Sequence, residues 1–318
     1  MSELIINILL LAGFIALLVK SAIFAIESIV KFSKITGIGE LAAGFVIVAI
    51  STSAPEISVA FFATQSDNVG ITLGDIFGSN VTNIALISAL FLLVSPVRHI
   101  EHKTLRMLLP LLLVASSVPL ILLITQEGSK LVGMALLAVF AFFLYYIFKF
   151  RPLQEKECIQ GSALRSLVYF IAGILLVIIS AKFIVDSASS IAEFTGIRQS
   201  VIGATIIAVG TSLPELTVDI ISVKRRHLEL ALGDIVGSCI TNITLVLGLV
   251  LILSNISVNF GILSSLIGFA IVAPLAMFLL IRTAKIKKWY SFLFFGIYAV
   301  FLLTVYEVQL YVGGIKMG

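Results

Sequence analysis

Two short segments, half a chain apart, place the same polar residues inside long apolar stretches. One reads Ser-Thr-Ser-Ala-Pro-Glu at residues 51–56, and the other reads Gly-Thr-Ser-Leu-Pro-Glu at residues 210–215. Proline removes a backbone donor and interrupts a helix, and a carboxylate at membrane depth indicates a functional role because it is costly there. The sequence therefore predicts two broken membrane helices, each presenting one glutamate, Glu56 or Glu215.

A second polar segment follows each break. It reads Gly-Asp-Ile-Phe-Gly-Ser-Asn-Val-Thr-Asn at residues 74–83 and Gly-Asp-Ile-Val-Gly-Ser-Cys-Ile-Thr-Asn at residues 233–242. The serine and the last asparagine of each segment lie four residues apart, on one face of a helix. A short loop between antiparallel neighbours would place that face against the broken helix. Asp75 and Asp234, one turn before the serines, are interpreted as helix-start or vestibule residues rather than ligands.

The groups that converge in this arrangement are all oxygen donors. They are Glu56, Glu215, Thr52, Thr211, Ser53, Ser212, Ser79, Ser238, Asn83 and Asn242, with backbone carbonyls freed by the breaks near Ala49 and Ala208. Hard cations such as Ca²⁺ prefer such oxygens, whereas zinc and copper favour histidine and cysteine, which are missing from these segments apart from Cys239. Serines on membrane helices also serve close helix packing, and this alternative stays open for Ser53 and Ser212.

Both polar regions belong to one internal repeat. Residues 44–86 and 203–245 share 18 identities in 43 positions at a constant offset of 159, half the length of the chain. Shared apolar composition alone would not align both polar motifs at one offset. The repeat is therefore a property of the architecture.

The composition is that of a polytopic membrane protein. The 318 residues are 60% hydrophobic and 12% charged, whereas soluble domains carry about 25% charged residues. Segments of about 20 apolar residues can cross a bilayer, and we predict ten of them, near 4–32, 40–66, 70–95, 104–126, 130–150, 165–192, 198–223, 230–254, 258–281 and 289–312. The fold class predicted is all-α, with spans 2 and 7 broken. The first span is interpreted as a membrane helix rather than a removed signal peptide.

The basic residues predict the topology. Sixteen of the 21 lysines and arginines follow odd-numbered spans, and three lie on the opposite side. This positive-inside bias places the basic loops in the cytoplasm and both termini outside the cell membrane. Because each half has five spans, residues 1–150 (motif 44–88) and 165–318 (motif 203–247) must run in opposite directions, joined by a cytoplasmic linker at 151–164. Inverted repeats of this kind are typical of secondary transporters with a midplane site.

At these residues the chain resembles the cation/calcium exchanger superfamily, most closely the prokaryotic type of its sodium/calcium exchanger branch. Both Thr-Ser-x-Pro-Glu segments and both Gly-Ser-x-x-Thr-Asn segments carry the resemblance, which extends over the ten-helix plan. It implies Ca²⁺ bound by Glu56, Glu215, Thr52 and Thr211, and sodium sites that use Ala49, Ser53, Glu56, Ser79, Ala208, Thr211, Ser212, Glu215 and Ser238. Asn83 and Asn242 would line the site. The resemblance also implies that spans 1 and 6 slide across the other eight.

We therefore expect a Na⁺/Ca²⁺ antiporter that works as a monomer by alternating access, without cofactor, nucleotide or nucleic acid. Archaeal exchangers of this type carry aspartate where this chain has Asn242, so the predicted site has two carboxylates. Charge matching then favours one Ca²⁺ or two monovalent ions. Two alternatives remain. One is an H⁺/Ca²⁺ antiporter that uses the same glutamates, and the other is a channel. An intramembrane hydrolase is disfavoured because neither GxSxG nor HExxH occurs.

Overall fold

A computed structural model describes most of the chain as helix. It describes residues 2–36, 49–66, 68–94, 110, 112–125, 128–149, 161–197, 199–224, 228–254, 260–282 and 288–314. Within these ranges there is no β-strand. The α-helices are α1 (Ser2–Thr36), α2 (Ala49–Thr52), α3 (Ala54–Gln65), α4 (Val69–Val81), α5 (Ser88–Val94), α6 (Leu120–Thr125), α7 (Lys130–Lys149), α8 (Ala163–Thr195), α9 (Gln199–Ile202), α10 (Ala208–Thr211), α11 (Leu213–Lys224), α12 (Leu228–Thr241), α13 (Leu247–Leu253), α14 (Phe260–Arg282) and α15 (Tyr290–Gly314).

Three π-helical turns join some of these helices. They are Thr82–Ile87 between α4 and α5, Gly203–Ile207 between α9 and α10, and Asn242–Val246 between α12 and α13. A π-turn inserts an extra residue into the helical ladder and often marks a functional site. The turns after α4 and α12 overlap at the repeat-equivalent residues 83–87 and 242–246, so the two halves share this irregularity.

Six helical stretches of the described residues are long and apolar enough to cross a membrane. They are Ile5–Ala25, Val69–Val94, Ala163–Ala192, Asp234–Leu253, Leu263–Leu280 and Tyr290–Glu307. Shorter apolar helices occur at Leu112–Ile124 and Lys130–Tyr146, within predicted spans 4 and 5. Residues 40–48 of span 2 and residues 104–109 of span 4 lie outside the described residues. The multi-pass all-α architecture is confirmed, while the count of ten spans stays a prediction.

The long helices α1 and α8 pack against each other along their length. Their contact is close because α8 has a glycine at the crossing: a Cβ added to Gly173 would lie 2.8 Å from the Cβ of Ala25. The rings of Phe14 and Phe183 stack with centroids 4.4 Å apart. Leu175 of α8, like many apolar residues of this pair, is exposed at 54%, as expected for a surface that faces lipid.

The remaining helices enclose a core in which the two halves of the sequence interleave. Helix α4 packs against the π-turn at Gly203–Ile207, and α12 packs against α2. A Cβ on Gly78 would lie 2.7 Å from both the Cα and the carbonyl oxygen of Ala204, so only glycine permits this approach. The polar helix that follows each break is thus held against the break of the opposite half.

Candidate ion-binding site

Each broken helix is interrupted at a single serine. Ser53, with φ −78° and ψ 3°, separates α2 from α3, and Ser212, with φ −81° and ψ 3°, separates α10 from α11. The proline two residues later has no N–H to bond the carbonyl four residues before it. The predicted breaks are therefore present, and each is confined to one residue.

The breaks are expected to free backbone carbonyls near Ala49 and Ala208, but the carbonyls of these two residues themselves keep their helical hydrogen bonds. Each carbonyl accepts a hydrogen bond from the serine N–H four residues later, at 3.1 Å in both halves. Each also lies within reach of the threonine hydroxyl three residues later, at 3.2 and 3.3 Å. The proline removes the donor for residues 51 and 210 instead. A role for Ala49 and Ala208 as sodium ligands stays a prediction that would use the second lone pair of each carbonyl.

The threonine of each break is held by the polar helix of the other half. Thr211 lies 3.2 Å from the hydroxyl of Ser79, and it donates a hydrogen bond to Asp75 Oδ1 at 3.1 Å. In the same way, Thr52 lies 3.1 Å from the hydroxyl of Ser238 and 3.4 Å from Asp234 Oδ1. The threonine of each break is thus brought together with a predicted site serine, but that serine belongs to the opposite half of the chain.

Each of these contacts has an equivalent contact at the repeat offset of 159 residues, in which the two halves of the chain exchange roles. The pair of residues 52 and 238 becomes the pair 211 and 79, and the pair 52 and 234 becomes 211 and 75. Asn80 and Cys239 are repeat equivalents of each other and touch: the Asn80 amide donates to the Cys239 carbonyl at 3.3 Å. The Cys239 thiol lies 3.8 Å from the Asn80 carbonyl. Reciprocal contacts of this kind are expected around a two-fold axis.

Glu56 and Glu215 are fully buried, each at the start of the helix that follows its break. None of their four carboxylate oxygens has a hydrogen-bond partner among the described residues. The hydroxyls of Thr211 and Ser79 lie near Glu56 but outside hydrogen-bond distance of its oxygens, and the two glutamates lie close enough for their charges to interact. This is the arrangement predicted to receive a cation.

The other predicted site residues are buried without partners. The hydroxyls of Ser53 and Ser212 and both amide atoms of Asn83 and Asn242 make no hydrogen bond within the described residues. Both asparagines lie in π-turns, where the ladder is already disturbed. Buried polar atoms are normally hydrogen-bonded, so these six unpaired atoms, four of which are oxygens, are available to a ligand.

Asp75 and Asp234 do not lie at helix starts or in a vestibule, so that interpretation is wrong. Asp75 occupies the middle of α4 and Asp234 the middle of α12, with exposed fractions of 0% and 2%. One oxygen of each is bonded to the threonine of the opposite break, while the second, Oδ2, has no partner in the described part of the chain.

Asp219 is a buried acid that the sequence interpretation did not single out. It follows Glu215 by four residues on α11, its exposed fraction is 0%, and neither carboxylate oxygen has a partner among described residues. Its position in an apolar span was a usable signal. A search for residues shared by both repeats does not find Asp219, because the equivalent residue in the first half is Ala60.

The site as a whole is acidic. Its five buried carboxyl groups belong to Glu56, Asp75, Glu215, Asp219 and Asp234. Where side chains are described, no lysine or arginine is buried to balance them. The same residues contain no cluster of three or more His, Cys, Asp or Glu side chains with metal-binding geometry, so any cation bound here must draw on hydroxyl, amide or carbonyl oxygens as well.

Sequence comparison places the chain among known proteins. The profile of the sodium/calcium exchanger protein family matches residues 6–149 and 165–307. The chain belongs to this family. Its members are membrane transporters rather than enzymes, and the chain is accordingly a multi-pass transport protein of the sodium/calcium exchanger type.

Individual proteins match over most of the chain. The sodium/calcium exchanger MaX1 of Methanosarcina acetivorans is 27% identical and covers 95% of this chain and 99% of that protein. The inner membrane protein YrbG of Escherichia coli is 33% identical over 67% of this chain and 69% of its own length. A structure of the sodium-calcium exchanger NCX_Mj, soaked with 100 mM Na⁺ and 10 mM Sr²⁺, superposes with a TM-score of 0.69 at 28% identity. It covers 92% of this chain and 97% of NCX_Mj.

Proposed function

We propose that this protein is a secondary antiporter in which Ca²⁺ and Na⁺ compete for a site built on Glu56 and Glu215. The observation that carries the proposal is the burial of both glutamates at two helix breaks, with all four oxygens lacking a partner among described residues. An uncompensated buried carboxylate is strongly unfavourable. A bound cation supplies the missing partner, so a loaded site is favoured over an empty charged one.

The ligand sets follow from the oxygens around this pair. Ca²⁺ takes about 6–8 oxygens in flexible geometry, and we assign it to both carboxylates with the backbone carbonyls of Thr52 and Thr211. Sodium ions share the glutamates and use the hydroxyl and carbonyl groups of Ala49, Ser53, Ser79, Ala208, Thr211, Ser212 and Ser238. Asn83 and Asn242 line the site.

Relatives support this choice of ions. MaX1 is named a sodium/calcium exchanger, and the NCX_Mj structures are described as binding-site states of a sodium-calcium exchanger soaked with Na⁺, Ca²⁺ or Sr²⁺. Ca²⁺ and Sr²⁺ are both hard divalent cations that prefer oxygen, which agrees with the donor set of this chain.

The proposed architecture is ten spans in two inverted repeats, residues 1–150 and 165–318, joined by the linker 151–164. The reciprocal contacts at an offset of 159 support a two-fold relation between the halves. Five spans per half would make the axis lie in the membrane plane. Both termini would face outside and the basic loops the cytoplasm. Each half supplies part of one site, so a monomer is sufficient for transport.

Alternating access would come from a sliding motion of α1 and α8 across the other helices. These two helices pack mainly on each other, and α1 also contacts α2 and α10, the segments that precede the two breaks. A shift of the pair would open the glutamate site to one side and then to the other. Only a glutamate pair whose charge is compensated by bound cations would permit this shift, which couples the movement of one ion to that of the other.

The test is ⁴⁵Ca²⁺ uptake into proteoliposomes preloaded with Na⁺, K⁺ or choline at matched pH. We expect uptake only with internal Na⁺, loss of uptake in Glu215→Gln, and wild-type uptake in Glu307→Gln, because Glu307 is an exposed glutamate on α15. Uptake that ignores Na⁺ but follows an imposed pH gradient would replace the proposal with H⁺/Ca²⁺ exchange. Full uptake in Glu215→Gln would show that Glu215 does not belong to the ion-binding site.

A further inference from the structure

Asp219 lies beside the proposed site without belonging to the repeated motif. It is four residues after Glu215 on α11, which places it on the same helix face, about 6 Å further along the axis. That direction leads toward Lys224 and the basic loop after α11. A cation moving between the glutamates and that side of the membrane would pass this carboxylate.

The first half has no equivalent acid. The residue 159 positions earlier is Ala60, which is 2% exposed and belongs to a hydrophobic cluster with Phe77 and Ile243. Every other buried acid in the described residues has an acidic repeat partner: Glu56 with Glu215, and Asp75 with Asp234. Asp219 therefore gives the second half one carboxylate more than the first.

Among the described residues, no protein group neutralises Asp219. Neither of its oxygens has a partner in the described part of the chain. Helix α11 packs against α12, which carries Asp234, and the charges of Asp219, Asp234 and Glu215 lie close enough to interact. Asp234 keeps one oxygen, Oδ2, without a partner, since Thr52 bonds only Oδ1.

We propose that Asp219 and the unpartnered oxygen of Asp234 form a further Na⁺ position, on the basic-loop side of the glutamate pair. The geometry is suited to a monovalent ion rather than to Ca²⁺. Two carboxyl groups on one side, one of them already bonded to Thr52, provide few ligands for an ion that takes about 6–8 oxygens. A single Na⁺ neutralises the carboxylate that would otherwise stay unpaired in a low-dielectric interior.

The proposal changes the expected number of ions, and it rests on Na⁺/Ca²⁺ exchange at the glutamate pair. The two glutamates alone match two Na⁺ or one Ca²⁺ by charge. With Asp219 as a third carboxylate, the Na⁺-loaded state holds three ions. In the Ca²⁺-loaded state only the glutamate pair holds a cation and the Asp219 position is empty, so one net charge moves in each cycle. An asparagine at position 219 removes the third charge and leaves exchange of two Na⁺ for one Ca²⁺.

The experiment measures the Ca²⁺ accumulation ratio that a fixed Na⁺ gradient sustains at zero membrane potential. For a tenfold Na⁺ gradient, three Na⁺ per Ca²⁺ supports an accumulation ratio about tenfold higher than two Na⁺ per Ca²⁺ does. We expect the ratio of wild type to exceed that of Asp219→Asn by this factor. Uptake by wild type should also accelerate when valinomycin and K⁺ make the interior positive, and Asp219→Asn should not respond. Because a steady-state ratio is independent of rate, slow transport by the variant does not obscure the result.

Controls separate charge from folding. Asp186→Asn makes the same change at an exposed aspartate of α8 and should keep the wild-type ratio, and Asp219→Glu should restore the ratio that Asp219→Asn loses. A wild-type ratio that matches two Na⁺ per Ca²⁺ would overturn the proposal. So would a wild-type voltage response retained in Asp219→Asn.

A binding measurement distinguishes this proposal from the function on which it rests. In Ca²⁺-free detergent solution, ²²Na⁺ binding should saturate at one ion more per molecule in wild type than in Asp219→Asn. If wild type shows no Na⁺-driven Ca²⁺ uptake, the exchange function fails, while a difference of one bound Na⁺ still supports the site at Asp219. Equal ²²Na⁺ binding by both proteins would overturn the site whatever the transport result.

Discussion

Thr211 donates a hydrogen bond to Asp75 at 3.1 Å, although these residues lie in different halves of the chain. The same relation holds between Thr52 and Asp234, at 3.4 Å. Each break is therefore fixed by a carboxylate from the opposite repeat, and neither half can complete the site alone. This cross-bracing positions the threonines whose backbone carbonyls are proposed as Ca²⁺ ligands.

We predict that a double-mutant cycle between Thr211 and Asp75 shows coupling of about 0.5–3 kcal/mol, the range for residues in contact. Thr211→Val removes the donor, and Asp75→Asn replaces the charged acceptor. Unfolding by SDS titration of the two single variants and the double variant measures the coupling. Thr211→Val combined with Asp234→Asn is the matched control, since no hydrogen bond joins that pair. Equal coupling in both cycles would contradict the cross-bracing.

Glu56→Gln is expected to abolish Na⁺-driven Ca²⁺ uptake and to reduce the stabilisation of the protein by Ca²⁺. Ca²⁺ at about 100 times its Kd stabilises a binding-competent protein by about 2.7 kcal/mol. Removing one of two charged ligands should lower affinity at least as much as loss of a supporting residue, about 10–100-fold. Thermal unfolding with and without Ca²⁺ measures the effect. A wild-type Ca²⁺-induced shift in Glu56→Gln would show that Glu56 does not bind the ion, with Glu307→Gln as the control.

The sequence predicted the parts of the site that residue type and spacing determine. Proline inside an apolar span located both breaks, and carboxylates in the same spans identified Glu56 and Glu215. Every one of the predicted site residues is buried in the structure. A spacing of four residues predicts one helix face for Ser79 and Asn83 and places Asp75 one turn before Ser79. The Ser79 hydroxyl lies 3.4 Å from Asp75 Oδ1.

What the sequence could not supply is which helix that face meets. A spacing of four residues places two side chains together but leaves their partner undetermined. The packing of α4 against the second half depends on the close approach at Gly78, which follows from tertiary contacts and not from local pattern. The comparison of the two repeats also selected residues that occur in both halves. It did not select Asp219, because the equivalent residue in the first half is Ala60.

Gly78→Ala is expected to destabilise the protein and impair transport. The added Cβ would lie 2.7 Å from the backbone of Ala204 and 2.9 Å from the Cβ of Ala208, so α4 would have to move away from the second break. Overpacking of this kind costs about 1–3 kcal/mol. Gly268→Ala on α14 is the control, because its added Cβ meets nothing within 4 Å. Both are measured by thermal unfolding and Ca²⁺ uptake, and equal destabilisation would argue against a tight α4 interface.

Cross-linking can test whether α1 moves relative to the broken helix. A Cβ on Gly210 would lie 2.9 Å from Ile15 Cγ2, which places a cysteine pair at 15 and 210 within reach of a disulfide, whose Cβ atoms are about 3.5–4.5 Å apart. In a background with both native cysteines replaced by alanine, we expect oxidation of this pair to stop Ca²⁺ uptake and dithiothreitol to restore it. The control is a cysteine pair at 14 and 183, bridged by a short bifunctional thiol reagent, because the rings of Phe14 and Phe183 stack between α1 and α8 with centroids 4.4 Å apart. That bridge should leave uptake intact, because the two helices are proposed to move together. Full uptake by the oxidised 15–210 pair would exclude sliding of α1 past the second break.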